Sequence, residues 1–157
     1  MADTLASELG ILSKSPPVLI TQPWKRVPSG TNGGVSLAGF FFSAFGGIII
    51  GISTVILDII SGIDRSSNLD QALRIIMFSQ TCGLLGSVLD SLLGAVLQES
   101  YYDPDTKLVY QEEDTRPDTA KLVAGTNLLT NELVNMVSVA MTTFLGGWVL
   151  GPLFFGS

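Results

Sequence analysis

Residues 40–60 form a 21-residue run in which Ser43, Ser53, Thr54 and Asp58 are the polar interruptions. As a helix this run extends about 31 Å, the hydrocarbon thickness of a bilayer. The apolar pattern widens this first span to residues 35–61 and predicts a second over 73–98 and a third over 128–155. Gly146, Gly147 and Pro152 should loosen the end of the last. The expected fold class is all-α: a polytopic integral membrane protein with three transmembrane helices in one membrane domain, residues 1–157. A soluble bundle of three such helices would have too little polar surface to cover them. Outside the spans lie a polar N-terminal segment (1–34), a short turn (62–70) and a loop (99–125) whose acidic, proline-containing tripeptides suit solvated turns.

Polar residues inside the spans recur at helical spacing. The second span contains GSVLDSLLGAVLQ at 86–98, which sets Asp90 among aliphatic and small residues. A carboxylate so placed costs several kcal/mol unless it faces a partner, an ion or water, which makes it a candidate site. Gly83, Ser87, Asp90, Gly94 and Gln98 share one helix face. Asn127, Asn131, Asn135, Ser138 and Thr142 form a ridge on the third span, and Asn32, Ser36, Gly39, Ser43 and Gly47 a stripe on the first. Close helix packing is a sufficient reason for the glycines and serines, but amides and a carboxylate are poor means to that end. Asp90 lies about 12 Å inside Gln98 and Asn135 about 13 Å inside Thr126, so the two can meet at one depth. Asp58, near the opposite boundary, is expected to reach interfacial water.

The segment PSGTNGGVS at 28–36 leads into the first span. Gly30, Gly33 and Gly34 can turn backbone amides toward an anion at a helix N-terminus, although the GK[ST] ending of a P-loop is missing. A turn at the membrane boundary explains the same residues equally well.

Composition narrows the chemistry. The chain is 14% charged, with mean hydropathy +0.47 and net charge -6 concentrated in the 99–125 loop, so nucleic acid is not an expected partner. It has no histidine and a single cysteine, Cys82, which excludes Ser-His and Cys-His catalysis, zinc-type spacing and an internal disulfide. The loop acids lack EF-hand spacing. The N-terminus lacks the basic start and apolar core of a secretory signal. Six of the eight basic residues, Lys14, Lys25, Arg26, Lys107, Arg116 and Lys121, fall on one side of a three-span topology, with Arg65 and Arg74 opposite. The N-terminal segment and the long loop should therefore face the cytoplasm, or the stroma or matrix of an organelle.

Four blocks, DTLASELG at 3–10, PSGTNGGVS at 28–36, GSVLDSLLGAVLQ at 86–98 and NELVN at 131–135, resemble the C-terminal part of the transmembrane protein 19-like family, also called domain of unknown function 92. The chain departs from the family pattern at Leu5, often tryptophan, and at Ala2, often glycine. Family members are longer and begin with additional spans, so the resemblance implies a piece of a larger helical bundle. The family includes a plant phytyl phosphate kinase. The resemblance thus implies a nucleotide-dependent isoprenoid (phytyl or polyprenyl) phosphate kinase, a transferase, in an endomembrane or plastid envelope. It would use Mg2+ and a nucleoside triphosphate such as CTP. On that reading Asp90 and Asp3 hold the metal, and Gly30, Thr31, Asn32, Gly33 and Gly34 cradle phosphate. Lys25 neutralises it, and Asn131 and Asn135 orient the metal or lipid head group. A transporter or non-catalytic membrane subunit, with the same polar stripes lining a path, is the alternative.

Overall fold

The computed structural model describes residues 16–62, 68–111 and 116–156. Three helical stretches, Leu37–Ile60, Leu69–Leu97 and Asn131–Phe155, are long and apolar enough to cross a membrane. Each begins at a side-chain cap. The Ser36 hydroxyl accepts from the Gly39 amide (3.0 Å) at the head of α1 (Leu37–Ile60). Asn68 does the same for Gln71 (2.9 Å) at α2 (Leu69–Leu97), and Thr130 for Leu133 (3.4 Å) at α3 (Asn131–Leu145). These oxygens occupy amides that a first helical turn leaves without intrahelical partners. Beyond α3 the chain makes one π-helical turn, Gly146–Leu150, and a last helix α4 (Gly151–Phe155) with Pro152 in its first turn. Phe78 packs edge-on against Phe154 and Phe155 at centroid distances of 5.8 and 5.3 Å, and Arg74 Nη1 donates to the Phe154 carbonyl (3.0 Å).

Helix α2 is central. Gly47 and Gly51 bring α1 so close that a Cβ on either would stand 2.6 Å from the backbone of Gln80 or Ile76. Asp58, expected at interfacial water, is instead 8% exposed. It lies seven residues, two turns, beyond Gly51, which returns it to the face that α1 turns toward α2. On the other flank Gln98 meets Asn131, Asp90 meets Ser138, and Gly86 lies beside Thr142. The register is antiparallel throughout. Large side chains such as Phe41, Phe45, Ile56 and Phe144 stay on the outside, as a lipid-facing surface requires.

The all-α expectation needs correction, because two small antiparallel sheets cap the helices. Strands β1 (Val18–Leu19), β2 (Gln22–Arg26) and β3 (Gly34–Val35) form one, in the order β2-β1-β3. Strands β4 (Ser100–Asp103), β5 (Leu108–Tyr110) and β6 (Lys121–Ala124) form the other, in the order β5-β4-β6, within the segment expected to be a loop. Strands this short show little alternation in sequence. Leu19, Val27, Ala95 and Ala124 make the core between the sheets and the end of α2. The carbonyls that close α2 are occupied by the returning chain: Thr126 Oγ1 donates to Val96 O (2.7 Å), and the Leu128 and Leu129 amides to Leu97 O (3.1 and 3.0 Å).

Asp103, 1% exposed, staples the β4–β5 turn. It accepts from the hydroxyls of Thr106 and Thr119, both at 2.7 Å. The Thr106 and then the Thr119 hydrogen bonds hold its carboxyl below the usual carboxylate range. A depressed folded pKa means that this staple is at full strength above the ordinary aspartate value and weakens as pH falls through the lowered one.

Candidate functional site

Because α1 and α3 pack on different flanks of α2, a cleft of about 1320 Å³ remains between them, floored by α2. All three polar stripes face it. Asn32, Ser36, Gly39, Ser43 and Gly47 supply one wall, Gly83, Ser87, Asp90, Gly94 and Gln98 the floor, and Asn131, Asn135, Ser138 and Thr142 the other wall. Asn127 is not on a helix and does not line it. The cap end of the cleft lies at the N-terminal ends of α1 and α3 and the C-terminal end of α2. Two positive helix ends and one negative end therefore meet there.

Asp90 is anchored from α3. The Ser138 hydroxyl lies 3.0 Å from Asp90 Oδ1 and 3.0 Å from the Asn135 carbonyl. A hydroxyl has one proton for these two acceptors. It can therefore hold the Asp90 carboxylate or turn to its own helix backbone, so a ligand that takes over the carboxylate leaves Ser138 with a partner. Ser138 is buried, and Thr142 Oγ1 donates to its carbonyl (2.7 Å), which fixes this turn of α3. Nearer the cap, Gln98 Nε2 donates to Asn131 Oδ1 (3.4 Å), and Gly94 leaves the room that Gln98 occupies.

The 30–34 loop sits over the last turns of α2. Gly33 has φ +72°, and a side chain there would collide with the Ala95 backbone, so glycine is what permits the approach. Thr31, Asn32 and Gly34 give their amides to Pro28 O, Ser100 Oγ and Thr31 O, and the Asn32 side chain donates to Glu99 O (3.1 Å). The loop can thus turn at most the Gly30 and Gly33 amides toward an anion. Lys25 does not line the cleft; its ammonium donates to the Val123 carbonyl (2.7 Å) and ties the two sheets together. Asp3 lies outside the described residues. Arg116 stacks 4.0 Å over the Tyr101 ring.

Gln111 also belongs to the cleft lining, and its side-chain amide donates to the Gly30 carbonyl (3.2 Å) at the cap end. Nothing in its local sequence marks it, because only the β4–β5 hairpin carries it there. Ser138 and Gln98 were visible as stripe members but not as the groups that hold Asp90 and Asn131. Among the described residues no three or more His, Cys, Asp or Glu side chains gather as a metal cluster. Among the described residues Asp90 is the one carboxylate in the cleft lining.

A family model described as integral membrane protein DUF92 matches residues 1–143. The chain belongs to the DUF92 family. It is 37% identical over 143 residues to Protein PGR of Arabidopsis thaliana, across 91% of this chain and 48% of that protein. It is 32% identical over 99 residues to an uncharacterised membrane protein of Methanocaldococcus jannaschii, across 62% of this chain and 35% of the relative. The chain thus spans about half the length of the plant relative and about a third of the archaeal one. No solved structure matches it. Membership in this family, with three helices of spanning length, makes it a multi-pass integral membrane protein.

Proposed function

We propose that this DUF92 chain carries the phosphate-handling cleft of a nucleotide-dependent isoprenoid phosphate kinase, opening toward the cytoplasmic or stromal leaflet. The observation that carries the proposal is the convergence of three polar stripes on one intramembrane carboxylate, Asp90, below two helix N-termini. A phosphate monoester is already ionised and needs no general base, so a chain without histidine is not handicapped. Asn131 and Asn135 would orient the head group, and the Gly30 and Gly33 amides would meet phosphate oxygens. Lys25 would act through the sheets that it joins.

The donor set suits Mg2+ carried in by a nucleotide rather than a resident ion. Asp90 offers one carboxylate, with hydroxyl and amide oxygens nearby, and magnesium is commonly held by one or two carboxylates plus substrate phosphates. Asp90 would hold it, with Asp3 as the second carboxylate. Its chemistry when bound is neutralisation of charge on the phosphate oxygens.

Membranes containing the full-length protein, given labelled nucleoside triphosphate and phytyl or polyprenyl phosphate, should yield a labelled lipid diphosphate. Asp90→Asn keeps the shape and an acceptor for Ser138, yet product formation should collapse while insertion persists; Asp58→Asn, away from the cleft lining, should retain much more activity. Equal activity of wild type and Asp90→Asn at saturating Mg2+ would refute this assignment. Cysteines at Ser61 and Asp105, in a Cys82→Ser background, should label from opposite sides of the membrane.

One observation favours a second reading, as a transporter or non-catalytic membrane subunit. The cleft lining continues past Asp90 to Phe78, Cys82, Gly146 and Gly147, in the half of the helices away from the cap. A path of that depth could pass a solute. Transport without nucleotide turnover would favour it.

A further inference from the structure

Trp24 is 81% exposed on β2, and Arg26 is exposed two residues beyond it. The pairing of β2 with β1 shifts register between Gln22 and Arg26, and on this edge strand Trp24 and Arg26 are both exposed while Lys25 between them is half-buried. Lys25 between them points the other way, to Val123. Pro23 removes an amide donor from this edge, which lessens its tendency to pair with another strand. A large aromatic and a guanidinium remain, side by side and turned outward.

The height of this face follows from the fold. The cap core closes on Ala95, in the last turns of α2, and β3 leads through Ser36 directly into α1. Helix α2 has 29 residues. That is about 44 Å, more than the roughly 30 Å hydrocarbon core, so its ends reach the headgroup zones. Strands in a sheet lie about 4.8 Å apart, which keeps β2 within about 10 Å of the level of β3. Indole rings favour the headgroup interface, and basic side chains are attracted to anionic lipid.

We propose that the outer face of β2 is an interfacial membrane anchor, with Trp24 seated among lipid headgroups and Arg26 paired with anionic lipid phosphate. The anchor is independent of any activity in the cleft. Of the two tryptophans, Trp148 stacks on Phe144 (6.0 Å between centroids), so Trp148→Phe preserves an aromatic stack and leaves Trp24 as the single reporter. In vesicles of phosphatidylcholine with phosphatidylglycerol, its emission should be quenched more by lipids brominated near the glycerol than near the chain end. It should also be shielded from aqueous acrylamide. Arg26→Gln should abolish the extra quenching seen with phosphatidylglycerol over pure phosphatidylcholine. If Trp148→Phe fails to fold, the wild-type spectrum minus that of Trp24→Phe gives the same readout. Quenching by acrylamide without quenching by bromolipid would overturn the proposal, as would protection from both, which would mean a protein partner. An unchanged phosphatidylglycerol preference in Arg26→Gln would remove the ion pair.

Discussion

The two flanks of α2 are joined to their neighbours by opposite means. Against α1 the contact is steric: Gly47 and Gly51 let backbones touch, and the hydrogen bond from Ser43 Oγ to Gly83 O on that seam is long at 3.3 Å. Against α3 the contact is polar, through Asp90–Ser138 and Gln98–Asn131, and Gly86 faces a hydroxyl rather than a backbone. Close approach gives many small dispersion contacts that no ligand can replace. Hydrogen bonds between side chains can be exchanged for bonds to a ligand. The α1–α2 pair is thus the rigid half of the cleft, and α3 is the wall whose bonds can be exchanged for others.

The largest effect should come from placing a methyl in the steric seam. Gly47→Ala puts a Cβ 2.6 Å from the Gln80 Cα, which cannot swing aside, so the helices must separate along their shared length. Overpacking of this kind costs about 1–3 kcal/mol, partly offset by the better helix propensity of alanine, up to about 1 kcal/mol. A lowered unfolding temperature in detergent, and a further fall for Gly47→Ala with Gly51→Ala, is expected. Unchanged stability would mean that this seam is no tighter than the other.

A smaller loss is expected on the polar flank. Ser138→Ala removes the hydroxyl that reaches Asp90, and hydrogen bonds between membrane helices average about 0.6 kcal/mol and reach about 1.7. The same thermal scan should rank it below Gly47→Ala. If the order reverses, α3 is the rigid partner and the assignment of the two walls is wrong.

How far this contrast was legible depends on the kind of interaction. The helices and the cleft-facing stripes follow from periodicity, because every third or fourth residue returns to the same face whatever the partner. Asp90, Asn131 and Asn135 were readable because lipid makes polar groups expensive. The sheets were not, since a two-residue strand such as Val18–Leu19 has no period to read. Lys25 was assigned to phosphate by its charge, whereas a long-range carbonyl in β6 takes its ammonium. Asp58 was misplaced by counting depth along the helix without asking which way its face turns.

The smallest effect tests the contrast within one substitution type. Gly86→Ala, like Gly47→Ala, adds one methyl at a helix–helix seam, but its Cβ would meet Thr142 Oγ1 at 3.1 Å, and that hydroxyl ends a rotatable side chain. Thr142 can turn away and give up its bond to the Ser138 carbonyl, a local bond within α3. The gain in helix propensity offsets part of that loss, so the net change should stay within about 0.5 kcal/mol. Thr142→Ala in the same chain should relieve what penalty there is, giving a coupling energy of favourable sign in a double-mutant cycle. The corresponding Gly47→Ala cycle has no such partner to trim, because its obstacle is main chain. If Thr142→Ala leaves the Gly86→Ala penalty unrelieved, the α2–α3 seam is held by backbone approach as the α1–α2 seam is, and α3 is not the adjustable wall.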